Sequence, residues 1–240
     1  MTPPESRTFL DLLSPAERAA LASVGAARTF SAGTHLLRER DRTTFVILLL
    51  SGWCVVATDT NRGSRLILAL RGPGEIVGDL AAVDRGPRSA TVTALGPVEG
   101  AVIPGERFRG FLAAKPNAAA VAMQQLASRL RSSDEERRSL VAASVLQRTA
   151  ARLTELAVRA GTPVADGVLI DLPLPQHDLA AYVGSTREAV AKALRLLREN
   201  GVVVTTPKRL VVRRPEPLRL LADGGSLGGD TTIPALREPV

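Results

Sequence analysis

The stretch from Leu174 to Val203 constrains the fold most, because two apolar helical faces flank a short break at Gly184-Ser185-Thr186. Two helices joined by such a short Gly-containing turn must cross steeply, and the second helix is left protruding. The spacing therefore predicts a helix-turn-helix. The apolar positions of the two faces are Leu179, Ala180 and Val183, then Val190, Leu194 and Leu197.

The outward positions near the start of the second helix are Arg187, Glu188 and Lys192. An Arg can donate to the O6/N7 edge of guanine, a Glu can accept from cytosine N4, and a Lys can contact another guanine or a phosphate. These side chains predict that the helix reads DNA in the major groove. The alternative is an amphipathic surface helix whose Arg and Glu are merely solvated.

Ser185-Thr186-Arg187-Glu188-Ala189-Val190, followed by Leu194-Arg195-Leu196-Leu197, resembles the recognition helix of the cyclic AMP receptor protein/FNR (Crp/Fnr) family of bacterial transcription regulators. The resemblance implies a homodimer that binds a roughly palindromic site on double-stranded DNA, with RNA polymerase as a further partner. The residues that it assigns to DNA binding are Gln176, Ser185, Thr186, Arg187, Glu188 and Lys192.

Composition agrees with a DNA-binding protein. The net charge is +7, and eleven Lys and Arg stand against six Asp and Glu between Ser144 and Pro215. This surplus lies where attraction to phosphates requires it. The single cysteine, Cys54, cannot form an internal disulfide. Neither a signal peptide nor a membrane-length apolar run is seen, so we expect a cytoplasmic protein with no membrane partner.

The first part of the chain has a different pattern, with short apolar or alternating runs between glycines from Ala27 to Phe108. Such runs predict a closed or nearly closed β structure. We expect an α+β fold. By resemblance, residues 1–112 form the jelly-roll-like β-roll domain that holds an effector. The local sequence predicts two short helices before its strands, with an N-cap at Ser14. The predicted strands are Phe45 to Leu50, Trp53 to Thr58, Leu66 to Leu70 and Ala90 to Ala94.

Residues 74–91 contain groups that suit a phosphate. Main-chain N–H groups on a bend at Gly78-Asp79-Leu80, the Arg88 guanidinium and the Ser89 hydroxyl are all donors. The segment is similar to the family's phosphate-binding cassette. The resemblance implies that Arg88 and Ser89 hold the cyclic phosphate, that Gly78 and Leu80 donate from the main chain, and that Asp79 contacts the ribose. The alternative is a vestigial β-turn with a surface Arg.

A long helical pattern follows, in which residues 113–143 form the dimerisation helix. Its apolar seam favours pairing with a second copy, although an intrachain core helix would show a similar stripe. By resemblance, Ser133 contacts the purine from one subunit, and Asp134 replaces the Ser that reaches in from the other. The seam consists of Ala119, Met123, Leu126, Leu130, Leu140 and Ser144.

The remaining segments complete the predicted architecture. A hinge is expected at Val141 to Val145, with Ser144 as a helix N-cap. Residues 144–215 then form a winged helix-turn-helix, in which Lys208, Arg209 and Arg213 are candidate phosphate contacts. Residues 216–240 are expected to be a mostly disordered tail, because they are rich in Gly and Pro.

Constellations typical of other functions are missing from the sequence. Two histidines without a second His at helical spacing do not predict a metal site, and one Cys cannot hold an iron–sulfur cluster. We expect no tightly bound cofactor, no haem and no catalytic residues. An enzyme is therefore not predicted.

Together, these observations predict a homodimeric DNA-binding transcription regulator that is controlled by a cyclic nucleotide bound between the β-roll and the dimer helix. Cyclic AMP is the first choice of effector, with cyclic GMP or cyclic di-GMP as alternatives. Two alternatives remain: the same regulator with a vestigial or differently adapted pocket, or a cyclic-nucleotide-binding module that acts through protein contacts.

Overall fold

A computed structural model describes residues 7–59, 65–206 and 210–226. The chain divides into two compact units, residues 1–132 and 133–240. The helix predicted for dimerisation contributes residues to both units. Every helix in the described part of the chain is too short or too polar to cross a membrane.

The first unit begins with two short helices, α1 (Phe9–Leu12) and α2 (Pro15–Ser23). Both start in a capping box, since the hydroxyls of Thr8 and Ser14 accept from the backbone N–H three residues later and a carboxylate there accepts in return. Pro15 occupies the first turn of α2, where its missing N–H leaves no intrahelical bond unmade. The local sequence is sufficient to explain both starts, and the predicted N-cap at Ser14 is confirmed.

Two antiparallel four-stranded sheets follow, in the orders β1-β8-β3-β6 and β2-β7-β4-β5. A core cluster with Phe30, Ile47, Cys54, Val92 and Val98 draws on strands of both sheets, so the apolar faces of the two sheets pack on one another. This arrangement confirms the predicted β structure. The strands are β1 (Ala26–Phe30), β2 (His35–Leu37), β3 (Val46–Ser51), β4 (Cys54–Asp59), β5 (Arg65–Arg71), β6 (Ile76–Val77), β7 (Thr91–Ala94) and β8 (Val98–Ile103).

Cys54 illustrates how closed this core is. Its side chain has no exposed surface, and burial raises the pKa of the thiol to about 12, with the Glu75 carboxylate adding to the rise. A thiol that stays protonated is a poor nucleophile. Cys54 is therefore a core residue and not a reactive site.

Helices cover the β1-β8-β3-β6 sheet with a second apolar cluster. Phe9 and Leu21 from the first two helices, Phe108 from α4 (Gly105–Ala114) and Val121 from α5 (Pro116–Ala142) pack with strand residues such as Ile103. Between β6 and β7 lies a six-residue helix, α3 (Asp79–Asp84). The sequence predicted only a bend at this position.

Helix α5 buries a different face from the one that forms the predicted seam. Ala118, Val121 and Ala122 are buried in the core, whereas Met123 and Leu130 are 65% and 64% exposed. Met123 and Leu130 are therefore not part of an intrachain core stripe, because the same helix uses other residues for that purpose. The seam residues Met123 and Leu130 face away from the chain's own core.

The second unit contains α6 (Val145–Ala160), which starts at the predicted N-cap Ser144. Helix α6 contacts three further helices and a four-stranded sheet of order β11-β12-β10-β9, and the predicted winged helix-turn-helix is present. Its elements are β9 (Gly161–Val164), β10 (Gly167–Ile170), α7 (Gln176–Val183), α8 (Arg187–Glu199), β11 (Val203–Thr205), β12 (Leu210–Val212) and α9 (Pro215–Ala222).

For residues 216–222, helix α9 corrects the prediction that residues 216–240 are a mostly disordered tail. Leu218 and Leu221 are 1% exposed, and α9 packs on α6. The Gly and Pro residues of this segment do not prevent a short amphipathic helix. Pro215 and Pro217 fall within the first turn of α9, where Pro is tolerated. Residues 227–240 lie outside the described part of the chain.

Candidate DNA interface and nucleotide cassette

The turn between α7 and α8 fixes where the second helix starts. Gly184 adopts the left-handed conformation with φ 68°, and its N–H and that of Ser185 both donate to the Ala180 carbonyl. Thr186 then caps α8, because its hydroxyl accepts from the Ala189 N–H at 3.2 Å. The break read from the sequence is thus a helix C-cap followed directly by an N-cap.

Helix α8 separates an apolar face from a charged one. Val190, Leu194 and Leu197 are at most 4% exposed. Arg187, Glu188 and Lys192 all lie on the exposed side, as the sequence predicts. A protruding helix with these side chains at its N-terminal end can enter a major groove. Their individual base contacts stay predictions.

The other predicted DNA contacts lie around this helix. Gln176 is the exposed first residue of α7, and Ser185 is half-buried in the turn. In the wing, Arg213 is exposed and lies 3.6 Å from Asp166. Lys208 and Arg209 fall outside the described residues.

Two arginines of α6, neither of them a predicted site residue, hold this turn in place. Arg148 donates from Nε to the Val183 carbonyl at 3.3 Å, and Arg152 donates from Nε to the Tyr182 carbonyl at 3.2 Å. Carbonyls at the end of a helix have no donor within that helix. The available signal was the recurrence of Arg at an i, i+4 interval on a helix that is otherwise apolar on one side.

In the first unit, the predicted cassette is built around a left-handed glycine. Gly78 has φ 83° and precedes α3. A Cβ atom there would lie 2.6 Å from Nη1 of Arg88 and 3.0 Å from the Phe45 carbonyl oxygen. Only glycine combines this backbone angle with this close approach.

Arg88 is the centre of the cassette and is 3% exposed. It donates to the Thr43 hydroxyl at 3.0 Å, the Gly78 carbonyl at 2.8 Å and the Phe45 carbonyl at 2.6 Å, and its guanidinium stacks 4.8 Å from the centroid of the Phe45 ring. Burial lowers the pKa of Arg88, while the carboxylates of Asp41 and Asp79 oppose that shift. A guanidinium has five N–H donors, so a phosphate could receive at most two of them without breaking one of these contacts.

Asp79 is paired within the protein. Its two carboxylate oxygens accept from Nη1 of Arg129 at 3.0 and 2.8 Å, and Nη2 of Arg129 donates to the Ile76 carbonyl at 3.1 Å. A carboxylate that is only 6% exposed requires such a partner. Asp79 is the predicted ribose contact, and its pairing with Arg129 was not predicted, although a buried Asp indicates a nearby cation.

The remaining predicted cassette residues are more accessible. Leu80 is 46% exposed and Ser89 is also on the surface, so both can meet a molecule from solvent. Ser133 and Asp134 belong to the second unit, where Asp134 lies 3.4 Å from Arg137. Their predicted purine contacts stay predictions. Among the described residues, no group of three or more His, Cys, Asp and Glu side chains could hold a metal ion.

Comparisons with known proteins match both units. A family model described as the cyclic nucleotide-binding domain matches residues 27–115, and one described as the Crp-like helix-turn-helix domain matches residues 147–221. The CRP-like cAMP-activated global transcriptional regulator of Mycobacterium tuberculosis is 26% identical over 189 residues, which cover 79% of this chain and 84% of that protein.

Solved structures agree with these matches. The catabolite activator protein of Thermus thermophilus is 30% identical, with 91% of this chain and 99% of that chain covered and a TM-score of 0.51. FixK2 of Bradyrhizobium japonicum has a TM-score of 0.73 at 20% identity, with 86% of this chain and 100% of that chain covered. The second likeness is one of fold alone.

The close approach at Gly78 leads to a stability prediction with a matched control. Gly33 also has a positive φ, 77°, but nothing lies within 4 Å of a Cβ placed there. We expect Gly33→Ala to lower the free energy of unfolding by about 1–2 kcal/mol, through backbone strain alone. Gly78→Ala adds the collision with Arg88 and should cost about 2–5 kcal/mol. Urea unfolding of both variants measures the difference, and equal losses would show that the cassette is loosely packed.

Proposed function

Because the chain belongs to the cyclic AMP receptor protein/FNR family of transcription regulators, we propose that it is a homodimer whose DNA binding is controlled by a cyclic nucleotide. It is a DNA-binding transcription regulator with a cyclic nucleotide-binding domain. This membership sets aside the alternative of a module that acts only through protein contacts. The observation that carries the DNA-reading part of the proposal is the exposure of Arg187, Glu188 and Lys192 on α8, a helix whose start is fixed by two caps.

In the proposed complex, α8 lies in the major groove. Arg187 donates to guanine, Glu188 accepts from cytosine, and Lys192 contacts a base or a phosphate one turn later. Gln176, Ser185 and Thr186, at the starts of α7 and α8, contact the DNA backbone, where they hold the register. RNA polymerase is a further proposed partner at promoters.

Replacing Arg187 tests the reading of bases. Arg187→Ala should weaken binding to a selected site by about 1–3 kcal/mol and relax the preference at one guanine. Arg195→Ala is the control, because it removes the same charge from an exposed position of the same helix, where Arg195 pairs with Glu199. Fluorescence anisotropy with a site selected from random duplexes gives both affinities. Equal effects of Arg187→Ala on selected and random DNA would contradict the base-reading role.

The proposed dimer uses the exposed seam of α5. Met123 and Leu130 present large apolar side chains to solvent in the single chain, although helix α5 already buries another face. A second copy of α5 would cover them, and this supports self-association. A dimer that reads a palindrome needs its two recognition helices about 34–36 Å apart, which is one turn of DNA.

Charge placed in the seam should separate the protomers. Leu130→Glu puts a carboxylate opposite its own copy, so we expect the free energy of dimerisation to weaken by about 3 kcal/mol, which raises the dissociation constant roughly 100-fold. Leu220→Glu changes a residue of α9 that is 59% exposed, and serves as the control for an added surface charge. Sedimentation velocity across a dilution series measures both. If Leu130→Glu dissociated no more than Leu220→Glu, a different surface would have to mediate dimerisation.

The proposed effector is a cyclic nucleotide, with cyclic AMP as the first choice. The cassette residues fit a phosphate in part: Arg88 is a buried cation with up to two N–H groups to offer, and Ser89, the next residue along the chain, is exposed. The Asp79 carboxylate, although paired with Arg129, has lone pairs left for a ribose hydroxyl. An effector shifts the regulator only by binding its two arrangements unequally.

The internal contacts of the cassette favour a second candidate function, a regulator that binds DNA without a nucleotide. Arg88 donates to three neutral protein acceptors, and Nη1 of Arg129 donates to both carboxylate oxygens of Asp79, so both side chains already have partners within the protein. In this case the cassette stabilises the β-roll without binding a nucleotide, and α8 still binds DNA.

Calorimetric titration separates the two candidates. We expect binding of cyclic AMP, or of cyclic GMP or cyclic di-GMP in its place, and a loss of affinity of roughly 10-fold or more for Ser89→Ala, which removes a hydrogen bond to a charged phosphate. Ser89 is the better choice for replacement because Arg88 also has structural contacts. Silence from all three nucleotides would contradict nucleotide control and support the second candidate.

A further inference from the structure

Arg148 and Arg152, one turn apart on α6, connect two helix ends that are distant in sequence. Besides the carbonyls of α7, Arg148 reaches the end of α5, where its Nη1 donates to the Ala143 carbonyl at 2.8 Å. Arg152 reaches back along α5 to the carboxylate of Glu136, with an Nη2–Oε1 distance of 2.7 Å. The two guanidinium groups therefore join the last turns of α5 to the turn of the helix-turn-helix.

The environment of Arg152 is more constrained than that of a surface ion pair. Its side chain is 19% exposed, lies 4.3 Å from the centroid of the Tyr182 ring, and also contacts Glu155 at 3.0 Å. The Tyr182 hydroxyl hydrogen-bonds to the same Glu155 carboxylate. Although burial disfavours the charge on Arg152, the contacts with Tyr182, Glu155 and Glu136 raise its pKa overall. Because the planar guanidinium of Arg152 has partners on several sides, it is held in one orientation.

An apolar contact reinforces the same junction. A Cβ atom on Gly184 would lie 2.8 Å from Cδ2 of Leu140, so the Leu140 side chain packs against the turn that precedes α8. Segment 133–142 of α5 thus touches the helix-turn-helix through Glu136, through Leu140 and through the Ala143 carbonyl just beyond it.

We infer that Glu136 and Arg152 are positioning residues for DNA reading: they fix α8 in one orientation relative to segment 133–142 of α5. Neither residue contacts DNA in this proposal, and the inference rests on the proposed reading role of α8. Base recognition tolerates only small errors in position. If the turn of the helix-turn-helix could shift relative to α5, α8 would lose its contacts with bases before its contacts with phosphates. Non-specific attraction to phosphates does not depend on this orientation.

Removing the charge of Glu136 should change the affinity for DNA in opposite directions, depending on whether Glu136 positions α8 or only repels phosphates. Removing a carboxylate from a DNA-binding protein should strengthen its attraction to phosphates if only electrostatics matter. If Glu136 positions α8, Glu136→Gln should instead weaken binding to the selected site by about 5–20-fold, with random DNA changed by less than about twofold.

Glu135→Gln is the matched control. It removes the same charge one residue earlier, from a pair with Arg138 in which both side chains are 70% exposed. Specific affinity should stay the same or rise in this variant. Arg152→Lys, which keeps the charge but loses the fork, should lower specific affinity as Glu136→Gln does, and the double variant should lose no more than the single variants. Unchanged thermal unfolding midpoints for the variants show that the fold is kept.

A distance measurement tests the orientation without DNA. Val141 is 91% exposed, Arg195 is exposed on α8, and the buried Cys54 does not compete for a thiol label. Spin labels on Val141→Cys and Arg195→Cys, in dimers with one labelled protomer, should give a narrow distance distribution by pulsed electron resonance. Glu136→Gln should broaden it, and Glu135→Gln should not.

The outcomes separate this inference from the proposed function. A distribution that Glu136→Gln leaves narrow, or a specific affinity that follows the Glu135→Gln control, overturns the positioning role while DNA reading stands. A wild-type protein that selects no sequence contradicts the reading role of α8, and the distance measurement then still decides whether Glu136 fixes the helix.

Discussion

Buried guanidinium groups that donate to main-chain carbonyls hold together both functional regions of this protein. Arg88 joins the Gly78 carbonyl to the Phe45 carbonyl in the β-roll, and Arg148 joins the ends of α5 and α7 in the DNA-binding unit. Such an arginine connects loops that no regular hydrogen-bond ladder reaches. Its burial is costly unless each contact is made, so the loops are held in one arrangement.

Helix α5 shows how one element can serve two kinds of packing. Its first turns place Ala118, Val121 and Ala122 in the core of the β-roll unit, while Met123 and Leu130 stay exposed. Farther along, Glu136 and Leu140 contact the DNA-binding unit's α6 and turn. Residues of one helix therefore supply an intrachain core face, an exposed apolar pair and contacts with α6 and the helix-turn-helix.

The cassette illustrates the tension between structure and ligand chemistry. The donors that would suit a cyclic phosphate, Arg88 above all, also satisfy carbonyls of the β-roll, and Asp79 is neutralised by Arg129. An effector must therefore compete with, or add to, existing contacts. Its binding free energy depends on the difference between the two sets of contacts and not on the presence of the cassette residues alone.

Local signals in the sequence predicted several features: the caps at Ser14 and Ser144, the strand alternation, the break between α7 and α8, and the two faces of α8. These features depend on neighbours a few positions away. Only the tertiary structure decided four other features. They are the pairing of Asp79 with Arg129, fifty positions apart, the formation of α9, the face of α5 that is buried, and the contacts of Arg148 and Arg152. Each depends on the partner that packing brings close to a buried charge or an apolar side chain, and the sequence alone carries no record of that partner.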